Sequence, residues 1–329
     1  MPASAALRTS LISLDLSGAG APREWRRAED SDAESFIMGR LAGLASLADK
    51  GGVDLLTLDE TFHHAGVRRR DDWLDGAVAA SRLSRHTTGA TLVATVPLGS
   101  HRPEHVAGAV ASVHRASAGR AGWQLEVAES GARSLRAVES VINGWPTAPR
   151  TSAGTSRPQV VVPVRTSVDG ELAAARADVA RLSVGTLEEA RAARAAIREA
   201  AVEWGRDADD VQVLVDVRAL ISADAPSARA RWDLLTSLEE QPREVPLRSI
   251  GTASDLTDLW AEWVHAGAAD GFTVIPASVP TDVVALVNEV VPQLEARGLR
   301  KPRTATVQTA PAAGRRQRVA APTRVRATA

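Results

Sequence analysis

The feature that most constrains this chain is an alternation. Short β-branched or leucine-rich runs and longer amphipathic segments follow one another eight times. The strand candidates are LISLDL (11–16), VDLLTLD (53–59), TLVATVPL (91–98), GWQLEV (122–127), QVVVPV (159–164), VARLSV (179–184), VQVLVDV (211–217) and GFTVIP (271–276). The segments between them repeat their apolar residues at helical spacing. Ser31 with Glu34, Thr186 with Glu189 and Thr252 with Asp255 read as helix starts, because a hydroxyl and a carboxylate three residues on satisfy each other's backbone donors. Pro103 suits the first turn of a helix running to Arg115, and Gly51 and Gly298 suit helix ends. Further helices are expected over Asp72–Arg85, Arg133–Asn143, Glu171–Ala177 and around Ala228–Glu239. In the helix capped by Thr252, Leu256, Leu259, Trp260, Trp263 and Val264 share one face, and the last helix carries Val283, Leu286, Val287, Val290, Val291 and Leu294.

Eight strand–helix units are the pattern of a closed (β/α)8 TIM barrel, an α/β fold. An open doubly wound sheet is the alternative. It seldom needs so many repeats and usually opens on a glycine-rich turn that is absent here. The expected organisation is a single barrel domain over 1–300 and a disordered basic tail over 301–329, which has no acidic residue and no apolar period. Without interleaved aromatics the tail offers little to a nucleic acid.

Composition narrows the function classes. A net charge of −1 over 329 residues gives no electrostatic case for nucleic acid or membrane partners. No apolar run approaches the ~18 residues of a spanning helix. The start, MPASAALRTSLISLDLSG, lacks the unbroken apolar stretch of a secretory signal, so a cytoplasmic location is the expectation. The chain has no cysteine, which removes thiolate metal sites and disulfides, and no tyrosine, which removes one common general acid. His101 and His105 stand four apart, but Pro103 between them places His101 ahead of the helix, and no metal site is expected. Nucleophile-elbow, P-loop and paired-cysteine motifs are absent.

Several stretches resemble the bacterial luciferase-like flavin-dependent monooxygenases, in the branch with nitrilotriacetate and dibenzothiophene-sulfone monooxygenases. The longest lies over 251–300, where Gly251, Thr252, Gly267, Asp270, Gly271, Phe272, Pro280, Val291, Pro292, Leu294, Arg297 and Gly298 match an ordered pattern. Gly119, Arg120, Gly122 and Trp123 fit the branch's Gly-Arg-x-x-Trp segment, and ADKGGVDLLTLDETF, LVATVPLGSHRPEHVAGAVASV, RADVARL and WGRDADDVQVLV fit its central repeats.

The resemblance implies a barrel that uses reduced FMN supplied by a separate flavin reductase, with dioxygen and a small organic molecule as substrates, in a chain that acts alone or as a homo-oligomer. It assigns Asp59, Thr95 and Gln124 to the flavin site, Gln124 standing where the branch has Asn. Ser167 and Gly170 match a phosphate-binding helix start, and Arg165 is a further phosphate candidate. His63, or its neighbour His64, is the candidate for catalysis after the second strand.

Departures accompany these matches. Pro163-Val164-Arg165 replaces Gln-Ala-Gly, Leu98 stands at a ring-contacting hydroxyl, and Ser134 stands at a tyrosine. A long covering segment between the fourth helix and fifth strand is reduced to PTAPRTSAGTSRP (146–158). These changes keep a second reading open: a non-catalytic barrel serving as partner subunit or ligand-binding protein. Leu58 and Leu98 are the side chains expected to fill the mouth if that reading holds.

Overall fold

Strand β1 (Leu11–Asp15) pairs in parallel with β2 (Leu55–Leu58) on one side and with β9 (Gly271–Pro276) on the other, so the first and last strands close a ring. Around that ring follow β3 (Thr91–Pro97), β4 (Ala121–Glu126), β5 (Gln159–Val164), β6 (Val179–Leu182) and β7 (Gln212–Ile221), with β7 completing the circuit against β9. This computed structural model describes residues 9–17, 32–58, 76–98, 102–126, 132–145, 155–238 and 245–302. The closed eight-stranded parallel barrel is the architecture expected from the alternation. The Ser31/Glu34 cap, His101, the start of the second helix at Asp72 and the tail beyond 302 lie outside the described residues or side chains.

Ten helical segments are described: α1 (Asp32–Lys50), α2 (Gly76–Leu83), α3 (Pro103–Ala116), α4 (Ala132–Asn143), α5 (Ser167–Arg176), α6 (Leu187–Glu203), α7 (Ala225–Leu238), α8 (Ala253–His265), α9 (Thr281–Ala285) and α10 (Val291–Ala296). A π-helical turn over Leu286–Val290 joins the last two into the single helix expected from the valine and leucine spacing. Among the described residues no helix is long and apolar enough to cross a membrane.

Alternation along each strand sorts side chains between two places. Ile12, Leu14, Leu56, Leu58, Leu92, Trp123, Val160, Val215 and Phe272 face the helices and join one large buried cluster. Leu55, Val93, Val161, Val179 and Leu214 form a separate buried cluster, with Leu11 packed against it, inside the lower bore. Leu58 is therefore spent on the helix-facing core. Leu98 is half-buried and packs against that same outer cluster. Neither plugs the mouth, the arrangement tied to the non-catalytic reading, because Leu58 is on the even-numbered, helix-facing set of β2 and Leu98, just past β3, continues the same set there.

The outer wall explains several matched residues without any ligand. Phe272 meets Trp260 at 4.7 Å and Trp263 at 5.8 Å between ring centroids, fixing α8 on β9. Arg120 is buried at the lower end. Its guanidinium donates to the Ala90 carbonyl at 2.8 Å, to the Thr87 carbonyl and hydroxyl at 3.0 Å each, and to the Ser84 carbonyl at 3.3 Å. Gly119 precedes it at φ +90°, a left-handed turn that favours glycine. Trp123 donates its indole N–H to the Val96 carbonyl at 3.0 Å.

A ninth strand, β8 (Arg248–Gly251), was not anticipated. It pairs with the upper half of β7, Arg218–Ile221 against Arg248–Gly251. Four residues with one isoleucine carry too little apolar signal to announce a strand. As a consequence, α7 does not return to the bottom of the barrel before the chain re-enters the sheet.

Candidate functional site

In a barrel of this kind the loops after the strands' C-terminal ends form the ligand-binding mouth. Below that mouth the bore changes character. Above the apolar cluster, Arg181 on β6 lies almost wholly buried and joins side chains from four other strands. Its Nε and Nη2 donate to the Asp216 carboxylate of β7 at 2.7 and 3.1 Å, and Nη2 also reaches Asp15 of β1 at 2.9 Å. Nη1 donates to the Gln124 Oε1 of β4 at 2.9 Å, and Gln124 Nε2 donates to the Thr95 hydroxyl of β3 at 3.1 Å. Asp15 also accepts from the Ser17 backbone N–H at 3.0 Å and from the Ser17 hydroxyl. Burial works against the Arg181 charge, but Asp216 and Asp15 outweigh it and hold its pKa above the ordinary guanidinium value.

This layer brings together two of the expected flavin-site residues, Thr95 and Gln124, as register partners on adjacent strands. It also recruits three that sequence reasoning missed: Asp15, Arg181 and Asp216. The Asp216 side chain keeps 16% of its surface, against 5% for Arg181 and 1% for Asp15, so the layer is open from the Asp216 side. On the same strand faces, Thr273 pairs in register with Asp216 and with Ser13. Its buried hydroxyl has no hydrogen-bond partner among the described residues.

Arg165, Ser167 and Gly170 sit elsewhere on the rim, at the start of α5. Arg165 and Ser167 are exposed and Gly170 is half-buried. Here the structure adds a capping box built on Thr166. The Asp169 carboxylate accepts the Arg165 N–H at 3.0 Å, the Thr166 N–H at 2.9 Å and the Thr166 hydroxyl at 3.0 Å. The Asp169 carboxylate thus sits on the turn where a phosphate would bind and takes the Arg165 and Thr166 backbone N–H groups. The expected boxes at Thr186/Glu189 and Thr252/Asp255 are present, and the Thr252 N–H and hydroxyl hold Asp255 below the usual carboxylate pKa. Asp59, His63 and His64 lie outside the described residues.

Of the segment read as the remnant of a cover, residues 155–158 are described. Thr155 donates its backbone N–H to the Gly119 carbonyl at 2.9 Å, immediately before β4 begins. The described part of the α4–β5 connection thus lies at the lower end of the barrel, as a helix-to-strand return must, and away from the mouth. The described residues near the mouth are 222–238 and 245–247, where the chain leaves the top of β7 into α7 and returns to β8. Arg231 anchors it, donating to the Ile221 carbonyl at 2.8 Å and the Ser222 hydroxyl at 2.7 Å. Arg231 also contacts buried Asp282, whose pKa burial raises. A separate groove of about 830 Å³ runs on the outer wall between α1 and α2, past Met38, Ala42, Arg82 and His86. It has no connection to the ionic layer.

No protein-family model matches the chain. Among curated proteins, N-acetyl-S-(2-succino)cysteine monooxygenase of Bacillus subtilis (strain 168) is 22% identical over 396 residues, covering 84% of this chain and 89% of that protein. That alignment is longer than the 329 residues of this chain, so the relative carries inserted segments that this one lacks. Nitrilotriacetate monooxygenase component A of Aminobacter aminovorans is 43% identical over 53 residues, 16% of this chain and 12% of that protein. Among solved structures, EDTA monooxygenase from Chelativorans sp. BNC1 superposes with a TM-score of 0.71 at 18% identity, covering 89% of this chain and 95% of that one. A riboflavin lyase determined with modified FMN and riboflavin superposes with a TM-score of 0.69 at 16% identity, covering 89% and 93%. The fold is a TIM barrel shared with these neighbours. Both curated relatives and the first of these structural neighbours are monooxygenases by name.

Proposed function

We propose that this chain is a flavin-dependent monooxygenase of the luciferase-like kind, working on a small organic substrate with dioxygen and with FMN reduced by a separate reductase. The observation that carries the reading is the polar layer under the mouth. Gln124 gives one amide N–H to Thr95 and keeps a second, and the Thr95 hydroxyl proton is committed to no described residue. These groups fit the polar edge of a flavin ring, and the apolar cluster below keeps water from reaching the bore from beneath.

When bound, a reduced flavin supplies electrons to oxygen. The chain's part is to orient the ring with Gln124 and Thr95, hold their geometry through Arg181, and keep the site dry. The phosphate end fits less well. Arg165 with the Ser167–Gly170 turn remains the candidate, with the Asp169 carboxylate on the same turn. A carboxylate beside the phosphate position favours one second reading, a barrel that binds a partner or ligand without catalysis.

The deciding experiment mixes purified protein with FMN, photoreduces it and reoxidises it in air while flavin absorbance and fluorescence are followed. Uptake in either redox state with substrate-dependent oxygen consumption is the expected result. Folded protein that binds neither form of FMN overturns the proposal and leaves the non-catalytic reading.

A further inference from the structure

The upper half of β7 carries a second feature that the ionic layer does not use. Arg218 on β7 and Arg248 on β8 are register partners, so two guanidinium groups leave adjacent strands side by side. Both lie over the ring of Trp232 on α7, at 4.8 Å and 5.5 Å from its centroid. Like charges directly opposed on neighbouring strands cost stability, and the indole face offsets part of that cost. Arg218 is buried and Arg248 is exposed. Among the described residues the Arg248 guanidinium has no carboxylate and no hydrogen-bond acceptor, its ring contact aside.

The position matters as much as the charge. Arg218 shares its strand face with Leu214 and Asp216, the face turned to the bore, whereas Ala219 and Ile221 belong to the outer core. A tryptophan of α7 that covers Arg218 therefore stands on the mouth side of β7.

We propose that Arg218 and Arg248, seated on Trp232, form an oxyanion subsite at the β7–β8 edge of the mouth, which takes a carboxylate or phosphate group. The planar fork of the exposed Arg248 matches both groups in bidentate fashion, and the buried Arg218 adds its positive charge behind it. The inference deepens the flavoenzyme reading by placing an anionic group at this edge, either a carboxylate of the substrate or the phosphate of FMN. At α5 the latter would stand beside the Asp169 carboxylate.

The test is calorimetric titration of the full-length protein with succinate and with inorganic phosphate, beside FMN and riboflavin titrations followed by fluorescence, for wild type, Arg248→Gln and Arg248→Lys. Wild type is expected to bind at least one of the two anions, Arg248→Gln to lose about ten- to a hundredfold in affinity, and Arg248→Lys to fall between. A loss confined to FMN, with riboflavin unaffected, assigns the subsite to the flavin phosphate. A loss for succinate with FMN unchanged assigns it to a substrate carboxylate. Equal affinities in wild type and Arg248→Gln, or no binding of either anion by wild type, overturn the proposal. Flavin uptake unaffected by the substitution, with no anion binding, sinks the subsite while leaving the flavoenzyme reading intact. Arg248-dependent anion binding without flavin uptake does the reverse.

Discussion

The lower and upper halves of the barrel bore are filled by opposite chemistries. Below, Leu11, Leu55, Val93, Val161, Val179 and Leu214 close the bore with hydrocarbon. Above, Asp15, Thr95, Gln124, Arg181 and Asp216 span it with charges and amides. The lower half stabilises by area removed from water, non-directionally, and tolerates changes of shape at a graded cost. The upper half depends on every partner being present, because a buried ion left alone keeps its full desolvation cost. The contrast teaches that the bottom of this barrel is built to hold the fold and the top is built to present polar groups.

That contrast can be broken most sharply at Arg181. Arg181→Met strands two carboxylates, and urea denaturation is expected to show a loss of about 3–5 kcal/mol. The triple variant with Asp15→Leu and Asp216→Leu recovers most of it if the layer serves presentation and not stability. A triple variant as unstable as the single one would erase the distinction between the halves.

Leu214→Ala in the lower cluster comes next. A loss of about 3 kcal/mol is expected by the same measurement, with no change in any ligand affinity at the mouth. A matching loss of FMN or anion binding would mean that the two halves are not separable.

The smallest effect is titrational. His114, buried on α3 at the lower end, has its pKa lowered from the ordinary 6.5 by burial, which outweighs the Thr155 backbone beside its ring. At pH above 6.5 the folded and unfolded chains both hold it neutral, so it contributes no pH dependence there. As pH falls below that value the unfolded chain takes up the proton first, so stability declines. Melting temperatures of wild type and His114→Gln are expected to converge or cross between about pH 7 and pH 5. A pH slope identical in the two proteins would remove His114 from the account.

Much of the fold was legible because its signals are local. Helix starts at Thr186 and Thr252 needed only a hydroxyl and a carboxylate three residues apart, and both boxes formed as read. The same grammar holds at α5, where Thr166 and Asp169 make an equivalent box around the Ser167–Gly170 turn. Leu98 was weighed as a site residue, although counting alternately from inward Thr95 turns it to the helix side. The candidate site was legible only in part. Gln124 and Thr95 stood out one by one, whereas Asp15 read as the end of a strand and Arg181 as one polar residue in a short one.

The sequence by itself determined the order of the eight barrel strands and the helices between them, since this follows from spacings of two and of three to four residues. The tertiary structure alone decided that Arg181 meets Asp15 across a separation of 166 residues, and that α7 stands at the mouth beside β8. Those meetings depend on how far each strand is staggered when the ring closes, and stagger is a property of the whole closed sheet that no single segment encodes.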